Sequence, residues 1–179
     1  RRFIREEIGD VLSIKAWYCD GTSRYTLTDN VQPYIFTSGQ SRKPSGCPKE
    51  NREHYYLLGH SGHLFDTVRY LMGDIVSVEA KLIQKGDMYS WLICADLENG
   101  TAGMLDLTVA VRRDWYEGFE VFGTEGTVIG KTFNPWLFQS TEAEAYSLRR
   151  NEYFRPMAAD GHFYRRQLEG FADVILTGA

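Results

Sequence analysis

Apolar side chains repeat with helical spacing in residues 57–73. Leu64, Val68 and Leu71 fall at positions i, i+4 and i+7, which places them on one stripe of a helix. Gly73 stands where a C-cap glycine is expected, and an extended run follows it. The pattern therefore predicts an amphipathic helix that ends at Gly73 and buries its stripe against a core.

Alternating apolar and polar positions on both sides of this helix predict β-strands. The predicted strands are Asp10–Asp20, Ile75–Lys85, Met88–Glu98, Thr101–Arg112, Gly118–Gly123 and Thr127–Lys131. Asn99-Gly100 and Thr124-Glu125 are the turns of two predicted hairpins. The fold class is therefore α+β: a predominantly antiparallel open sheet with helices packed on one face.

Other stretches have a weaker pattern. We expect a helix tail in residues 1–9, a long loop in residues 37–54, an edge strand at Tyr146–Arg155 and a helix at Asp160–Leu176 with Asp160 as its N-cap. Phe163, Leu168, Phe171, Val174 and Ile175 form the apolar face of that last helix.

The predicted strands differ in how they divide apolar from polar side chains. In Ile75–Lys85 we expect Val76, Val78, Ala80 and Leu82 to face the core. Met88–Glu98 instead carries apolar residues on both faces, with Trp91 and Ile93 opposed to Leu92 and Cys94. A single helix layer covers one face of the sheet, so the other face needs another cover.

Composition narrows the class of protein. The chain has 179 residues, 43% of them hydrophobic and 14% aromatic, which indicates one folded globular domain. Its 20 basic and 24 acidic residues give a net charge of −4 without a basic stripe, so nothing indicates nucleic-acid binding. No apolar run reaches the roughly 20 residues of a membrane span, and no signal peptide is visible. Cys19, Cys47 and Cys94 form no C-x-x-C pair, and we expect a reducing, cytoplasmic setting.

Histidines and glycines mark a second face of the central helix. His60, His63 and Thr67 share it by the i, i+3, i+4 rule. Gly59 and Gly62 lie beside them, although a glycine costs a helix roughly 1 kcal/mol relative to alanine. We infer that a strand or a ligand approaches the backbone closely at these glycines.

The helix also carries a family resemblance. The run with His63, Asp66, Arg69, Tyr70, Leu71 and Gly73 resembles the signature helix in the C-terminal domain of Gfo/Idh/MocA-type oxidoreductases, the family of glucose–fructose oxidoreductase and inositol dehydrogenase. Further stretches resemble other family segments in family order: Ile8–Val11, Leu97–Gly103, Val121–Thr127 and Leu168–Asp173.

The resemblance implies that substrate binding and cofactor binding belong to two different domains. Residues 1–179 would form a single C-terminal substrate-binding and dimerisation domain, and its open sheet face would pack on a second copy. The chain has no G-x-G-x-x-G loop between a strand and a helix, so we expect the N-terminal dinucleotide-binding domain to be absent from it. NAD or NADP would belong to the full-length protein, and this fragment would bind neither and be inactive alone.

The same resemblance implies catalytic residues. A histidine at the position of His63 lies beside the nicotinamide in the family and helps to move the hydroxyl proton while hydride goes to the cofactor. Many members carry an aspartate where this sequence has Gly59, whereas others carry a histidine that matches His60. The implied catalytic pair is therefore His63 and His60, acting on a CH–OH group of a sugar, an inositol or a related polyol.

Aromatic and polar residues near the irregular stretches suit a polyol pocket. Sugars are bound by aromatic faces together with groups that hydrogen-bond hydroxyls. The candidate substrate-binding residues are Trp17, Arg24, Tyr25, Tyr153, His162 and Tyr164.

Other interpretations stay open at this point. Each aromatic residue can be ordinary core, and either histidine can be structural, bonded to a backbone carbonyl. Gly59 in place of aspartate also fits a non-catalytic ligand-binding or assembly module of the same fold. A metal enzyme is a third possibility, with His60 and His63 joined by His162 or Glu53, although the i, i+3 spacing is not that of H-E-x-x-H.

Overall fold

A computed structural model describes residues 1–21, 51–134, 141–157 and 163–178. In these residues the helices are α1 (Arg2–Glu7), α2 (Arg52–Met72) and α3 (Phe163–Thr177). The strands are β1 (Val11–Gly21), β2 (Ile75–Lys85), β3 (Met88–Leu97), β4 (Ala102–Val111), β5 (Tyr116–Gly123), β6 (Gly126–Phe133), β7 (Glu142–Ser147) and β8 (Glu152–Phe154). The strands form one sheet in the order β2-β3-β4-β1-β5-β6-β7-β8, which confirms the α+β class.

The chain divides into two compact units. Unit 1 consists of Arg1–Lys15 and Tyr116–Ala179, and unit 2 is Ala16–Trp115. Strand β1 contributes its first half to unit 1 and its second half to unit 2. Each unit is described by itself below.

Unit 2 is built on the predicted helix and a three-stranded antiparallel meander. Leu64, Val68 and Leu71 of α2 are buried, as their spacing predicts. Helix α2 contacts β4, where Leu105 and Leu107 are buried. Register pairs Ile93 of β3 with Leu105 of β4, so the buried side chains of the two strands share the helix-facing side.

Both ends of α2 have a local chemical cause. The Asn51 side chain accepts a hydrogen bond from the His54 backbone N–H at 3.0 Å, which caps the first turn. The helix therefore begins at Arg52, inside the loop predicted for residues 37–54; residues 37–50 of that loop lie outside the described residues. At the other end Gly73 has φ +103° and its N–H bonds the Arg69 carbonyl at 3.0 Å.

Strand β2 departs from its predicted burial. Val76 and Val78 are 64% and 57% exposed, and Leu82 is also exposed, so the prediction that this stripe faces the core is wrong. The reason is position, because β2 is the edge of the sheet while α2 lies over β4, two strands further in. An alternating pattern shows which side chains share a face of the strand, but it does not show whether a helix covers that face.

In unit 1 the β5–β6 hairpin is tied to the N-terminal segment. The backbone N–H groups of Thr124 and Glu125 donate to the carbonyls of Asp10 and Ile8, at 2.9 and 2.8 Å. A Cβ at Gly123 would lie far inside van der Waals contact of the Ile8 carbonyl oxygen. Glycine at this position therefore allows the two backbones to meet.

The segment predicted as one edge strand, Tyr146–Arg155, is instead a hairpin. Strands β7 and β8 pair antiparallel, with Tyr146 opposite Tyr153. Between them the Asn151 N–H bonds the Leu148 carbonyl at 3.1 Å, and Asn151 takes φ +50°. Asparagine tolerates this left-handed conformation. The prediction rested on apolar alternation, which does not detect such a turn.

Helix α3 begins at Phe163, later than predicted, and the proposed N-cap Asp160 lies outside the described residues. Its apolar face exists but is exposed, with Leu168, Phe171 and Ile175 at 69%, 65% and 66%.

Candidate functional site

The two histidines of α2 lie against a tyrosine of β1. Tyr18 is buried, at 3% exposure, and its hydroxyl lies 3.0 Å from Nδ1 of His60. The ring of Tyr18 stacks on His63, with centroids 5.3 Å apart and planes at 28°. The spacing of three residues along α2 thus places both histidines over a single aromatic side chain.

A tryptophan closes one side of this group. The ring of Trp115 meets His63 edge-on at 6.0 Å and lies 6.1 Å from Tyr18. We call Tyr18, His60, His63 and Trp115 the histidine cluster. His60 is partly buried within it, whereas His63 is exposed.

Further aromatic rings continue from His60 towards the edge of the sheet. Tyr56 lies one turn before His60, with ring centroids 5.9 Å apart. Tyr56 contacts Tyr89 at 5.6 Å, and Tyr89 stacks on Trp91 at 5.6 Å and 12°. Aromatic faces next to hydrogen-bonding groups are what sugar rings bind.

The electrostatic surroundings keep His60 neutral. Burial lowers the pKa of His60, and the nearby His63 lowers it further, while the Asp20 carboxylate acts in the opposite direction. Asp20 is itself buried, two residues beyond Tyr18 on β1 and hence on the same side of the strand. Desolvation is the dominant cause, so His60 is an uncharged imidazole near neutral pH.

The glycine face of α2 is open. A Cβ built at Gly59 or Gly62 would meet nothing within 4 Å. The described part of this chain therefore supplies no strand that needs these glycines. The described ionic partner of Asp66 is Arg69, at 3.9 Å.

Of the other predicted site residues, Trp17 is the one that the structure describes in unit 2. Trp17 is adjacent to Tyr18 on β1, so alternation places it on the opposite side of the strand. Tyr153 and Tyr164 belong to unit 1 and are 71% and 48% exposed. Arg24, Tyr25 and His162 lie outside the described residues. The substrate-binding roles of all six stay predictions.

Tyr153 lines a separate cavity in unit 1. This cavity has a volume of about 580 Å³ and lies between α1 and strands β6, β7 and β8. Phe3 and Phe154 form part of its wall and meet edge-on at 5.5 Å. Each of its three arginines pairs with a glutamate: Arg2 with Glu6, Arg150 with Glu7 and Arg155 with Glu144. The cavity is an aromatic and apolar space with balanced charges.

Sequence reasoning did not place three residues, Tyr18, Asp20 and Trp115, beside the histidines. Tyr18 and Asp20 share the side of β1 that faces α2, a relation visible in the alternation once the strand is oriented. Trp115 follows β4, and no local pattern could place it beside a helix some fifty residues earlier.

The described residues hold no metal cluster, and the start of α2 is not suited to a dinucleotide. No group of three His, Cys, Asp or Glu side chains in the described ranges could bind a metal ion. The start of α2 is occupied by the Asn51 cap and carries Glu53 in its first turn, so a pyrophosphate would meet a carboxylate there. The start of α2 therefore does not fit the pyrophosphate of NAD(P).

The fold and the histidine cluster define a class: an antiparallel sheet domain with a paired-histidine helix on one side. A sequence model of the GFO/IDH/MocA C-terminal domain matches residues 1–129. The chain therefore belongs to the Gfo/Idh/MocA family, as its C-terminal domain.

Solved structures show the same fold at low identity. Levoglucosan dehydrogenase in complex with NADH is 21% identical with a TM-score of 0.54, and the match covers 87% of this chain and 42% of that one. A putative NADPH-dependent oxidoreductase from Desulfitobacterium hafniense is 15% identical with a TM-score of 0.66, over 96% and 48%. UDP-N-acetylglucosamine 3-dehydrogenase from Acidithiobacillus ferrooxidans is 15% identical with a TM-score of 0.58, over 99% and 49%.

This chain thus spans less than half the length of those structures. Among curated proteins, no significant match to the sequence was found. Within the described residues, no helix combines the length and apolar character that crossing a membrane requires.

Proposed function

We propose that this chain is the substrate-binding and oligomerisation domain of an NAD(P)-dependent oxidoreductase that acts on a CH–OH group of a sugar, an inositol or a related polyol. The observation that carries the proposal is the histidine cluster, in which an exposed His63 is held by Tyr18 beside a neutral His60. Family membership and the sugar dehydrogenases among the similar structures support the substrate class.

The chemistry divides between this chain and a second domain. When bound, the nicotinamide supplies the hydride acceptor or donor, and the cofactor would be held by an N-terminal domain outside this chain. His63 takes or returns the hydroxyl proton, because an exposed imidazole can act as a general acid or base towards a bound substrate. His60 stays neutral and hydrogen-bonds, and the aromatic rings around it bind the apolar face of the sugar.

The test is His63→Ala in the full-length protein that contains this chain. We expect kcat to fall by about 10²- to 10⁴-fold, the usual range for loss of a general acid–base group, with NAD(P) binding retained. His54→Ala is the matched control, because His54 is exposed on the same helix, two turns earlier. A His63→Ala enzyme within a few-fold of wild type would overturn the assignment.

The isolated chain tests whether cofactor binding requires a second domain. We expect it to show no NAD(P)H turnover, since its sequence carries no G-x-G-x-x-G loop to bind the cofactor. Turnover by the 179-residue chain would refute the proposal directly.

A non-catalytic ligand-binding or assembly module of the same fold is the second candidate. Gly59 favours it, because the histidine face has no carboxylate at the position where many members of the family carry one. Polyol binding by a full-length protein that gives no turnover with any nicotinamide cofactor would favour this module.

Self-association through the open sheet face belongs to the same proposal. In unit 2 the side opposite α2 carries Leu92 at 45% and Met104 at 63% exposure, on neighbouring strands. Register places Lys81 beside Leu92 and Cys94 beside Met104, so charged and apolar groups alternate there. A second copy of the chain is the occupant that we propose.

We also place the protein in the cytoplasm. Cys94 is a free, exposed thiol and Cys19 a free, buried one, which suits a reducing compartment.

A further inference from the structure

The side chain of Tyr18 connects the two histidines in a way that sequence does not assign. Its hydroxyl lies 3.0 Å from Nδ1 of His60, and its ring stacks on His63 with the centroids 5.3 Å apart and the planes at 28°. Because Tyr18 is only 3% exposed and sits on a strand, it has little freedom to move. The tyrosine is thus a rigid support for two helical side chains.

The direction of the Tyr18–His60 hydrogen bond decides where the His60 proton lies. A phenol, with an ordinary pKa near 10, is a stronger acid than a neutral imidazole N–H, and an imidazole nitrogen is a better acceptor than a phenol oxygen. The favoured arrangement has Tyr18 O–H donating to Nδ1. In a neutral imidazole the proton must then sit on Nε2.

We propose that Tyr18 is a positioning residue: it fixes His60 as the Nε2–H tautomer and holds the His63 ring beside it. His60 can then donate a hydrogen bond through Nε2 but cannot accept a proton there. His63 then acts as the base, and His60 donates a hydrogen bond from Nε2 to a substrate oxygen. The tautomer assignment stands on the contact between Tyr18 and His60 and on the neutral state of the His60 ring, and only its catalytic meaning rests on the proposed function.

Every titratable group that the structure places around His60 is compatible with this arrangement. From β1 it is faced by Tyr18 and by the Asp20 carboxylate, and from α2 by Tyr56 and His63. The Asp20 carboxylate favours a charged His60, whereas burial and His63 favour the neutral ring. A donated hydrogen bond at Nδ1 adds to the preference for the neutral form.

The experiment reads the histidine nitrogens of the 179-residue chain by NMR after ¹⁵N-histidine labelling. In the wild type we expect His60 to carry its proton on Nε2. Tyr18→Phe keeps the ring and removes the hydroxyl. In this variant we expect the ratio of the Nε2–H tautomer to the Nδ1–H tautomer of His60 to fall by roughly five- to tenfold, because one hydrogen bond is lost. The pKa of His60 should rise in this variant, because a bond to the neutral form is lost.

Tyr89→Phe is the matched control. Tyr89 is also buried and in the same row of rings, but its hydroxyl accepts from Gln84 Nε2 at 3.1 Å and does not contact a histidine. We expect this variant to leave the His60 tautomer unchanged, and His54 reports whether either variant perturbs α2 as a whole.

Three results would overturn the inference. The first is a wild-type His60 protonated on Nδ1, which needs no variant and so survives any folding defect in Tyr18→Phe. The second is an unchanged His60 in Tyr18→Phe, and the third is an equal change in Tyr89→Phe. Failure of the proposed dehydrogenase activity would leave all of these readings intact, so the two failures are distinguishable.

Discussion

Two glutamates of unit 1 show how surroundings set the charge of identical side chains. Glu117 on β5 is desolvated by burial, which raises its pKa to about 7. The Glu7 carboxylate instead bonds the guanidinium of Arg150 and the hydroxyl of Ser147, and these contacts lower its pKa. Ser147 is fully buried and Glu7 nearly so, so the contact joins α1 to the β7–β8 hairpin.

Glu117 should make stability depend on pH. Its folded-state pKa of about 7 exceeds the ordinary 4.5, so between these values the folded chain keeps a proton that the unfolded chain releases. Stability therefore falls as pH rises through this window and the loss is complete above it. We expect Glu117→Gln to be more stable than wild type at pH 8, on the order of 2 kcal/mol, but equally stable near pH 4. Urea unfolding at a series of pH values measures the difference.

The control for this prediction is Glu120→Gln, which removes a carboxylate from the same strand. A difference between Glu117→Gln and wild type that stays constant from pH 4 to pH 8 would show that burial does not hold the proton on Glu117.

At the scale of elements, α2 combines a stabilising cap with two costly glycines. Asn51 caps its start and Gly73 ends it, while Gly59 and Gly62 interrupt its exposed face. Glycine at Gly73 has a structural reason, because its φ is +103° and a Cβ would lie 2.8 Å from Glu98 Oε1. Gly59 and Gly62 have no such reason within the described residues, so their cost points to something outside them.

Replacing these two glycines should stabilise the isolated chain. We expect Gly59→Ala and Gly62→Ala each to raise the free energy of unfolding by about 0.5–1 kcal/mol, because helix propensity improves and the added Cβ meets nothing within 4 Å. Urea unfolding of the 179-residue chain measures this. Gly123→Ala is the opposing control and should destabilise, since its Cβ would collide with the Ile8 carbonyl.

The same substitutions probe the ligand side of the helix. In the full-length protein, we expect the stabilised variants to bind substrate more weakly if a ligand approaches the backbone here. Loss of stability in Gly59→Ala or Gly62→Ala would instead mean that a neighbour in the chain already fills the space.

At the scale of the whole molecule, the sheet determines which surfaces remain for partners. In unit 2, α2 covers the side with Leu105 and Leu107, and the opposite side carries exposed Leu92 and Met104. An exposed apolar surface on a sheet is a common site of association. This is the surface through which we propose that two copies meet.

A single charge on this surface should disrupt the assembly. We expect Met104→Glu to shift the chain from dimer to monomer, because burial of a carboxylate against an apolar partner is costly. Sedimentation velocity measures the change. Val78→Glu is the matched control, since Val78 is 57% exposed on the helix-facing side of β2. An unchanged dimer in Met104→Glu would remove this face from the interface.

The sequence by itself determined which segments form helices and strands and which family they belong to. The signals were local: apolar periods of 3.6 and 2 residues, the turn at Asn99-Gly100 and the run from His63 to Gly73. Residues close in sequence set the local backbone conformation, so such signals predict it directly. The histidine pair was visible for the same reason, since three residues along a helix bring side chains to one face. The hairpin with Asn151 in its turn was not predicted, because a turn in a short, polar stretch produces no apolar periodicity.

Tertiary structure decided the contacts between segments distant in the chain. Tyr18 reaches His60 across 42 residues. Which tyrosine meets which histidine depends on how α2 lies across the strands, and apolar periodicity sets only the buried side of each element. The exposed stripe on β2 has the same origin: alternation defines a face, but only the position of the covering helix decides whether that face is buried.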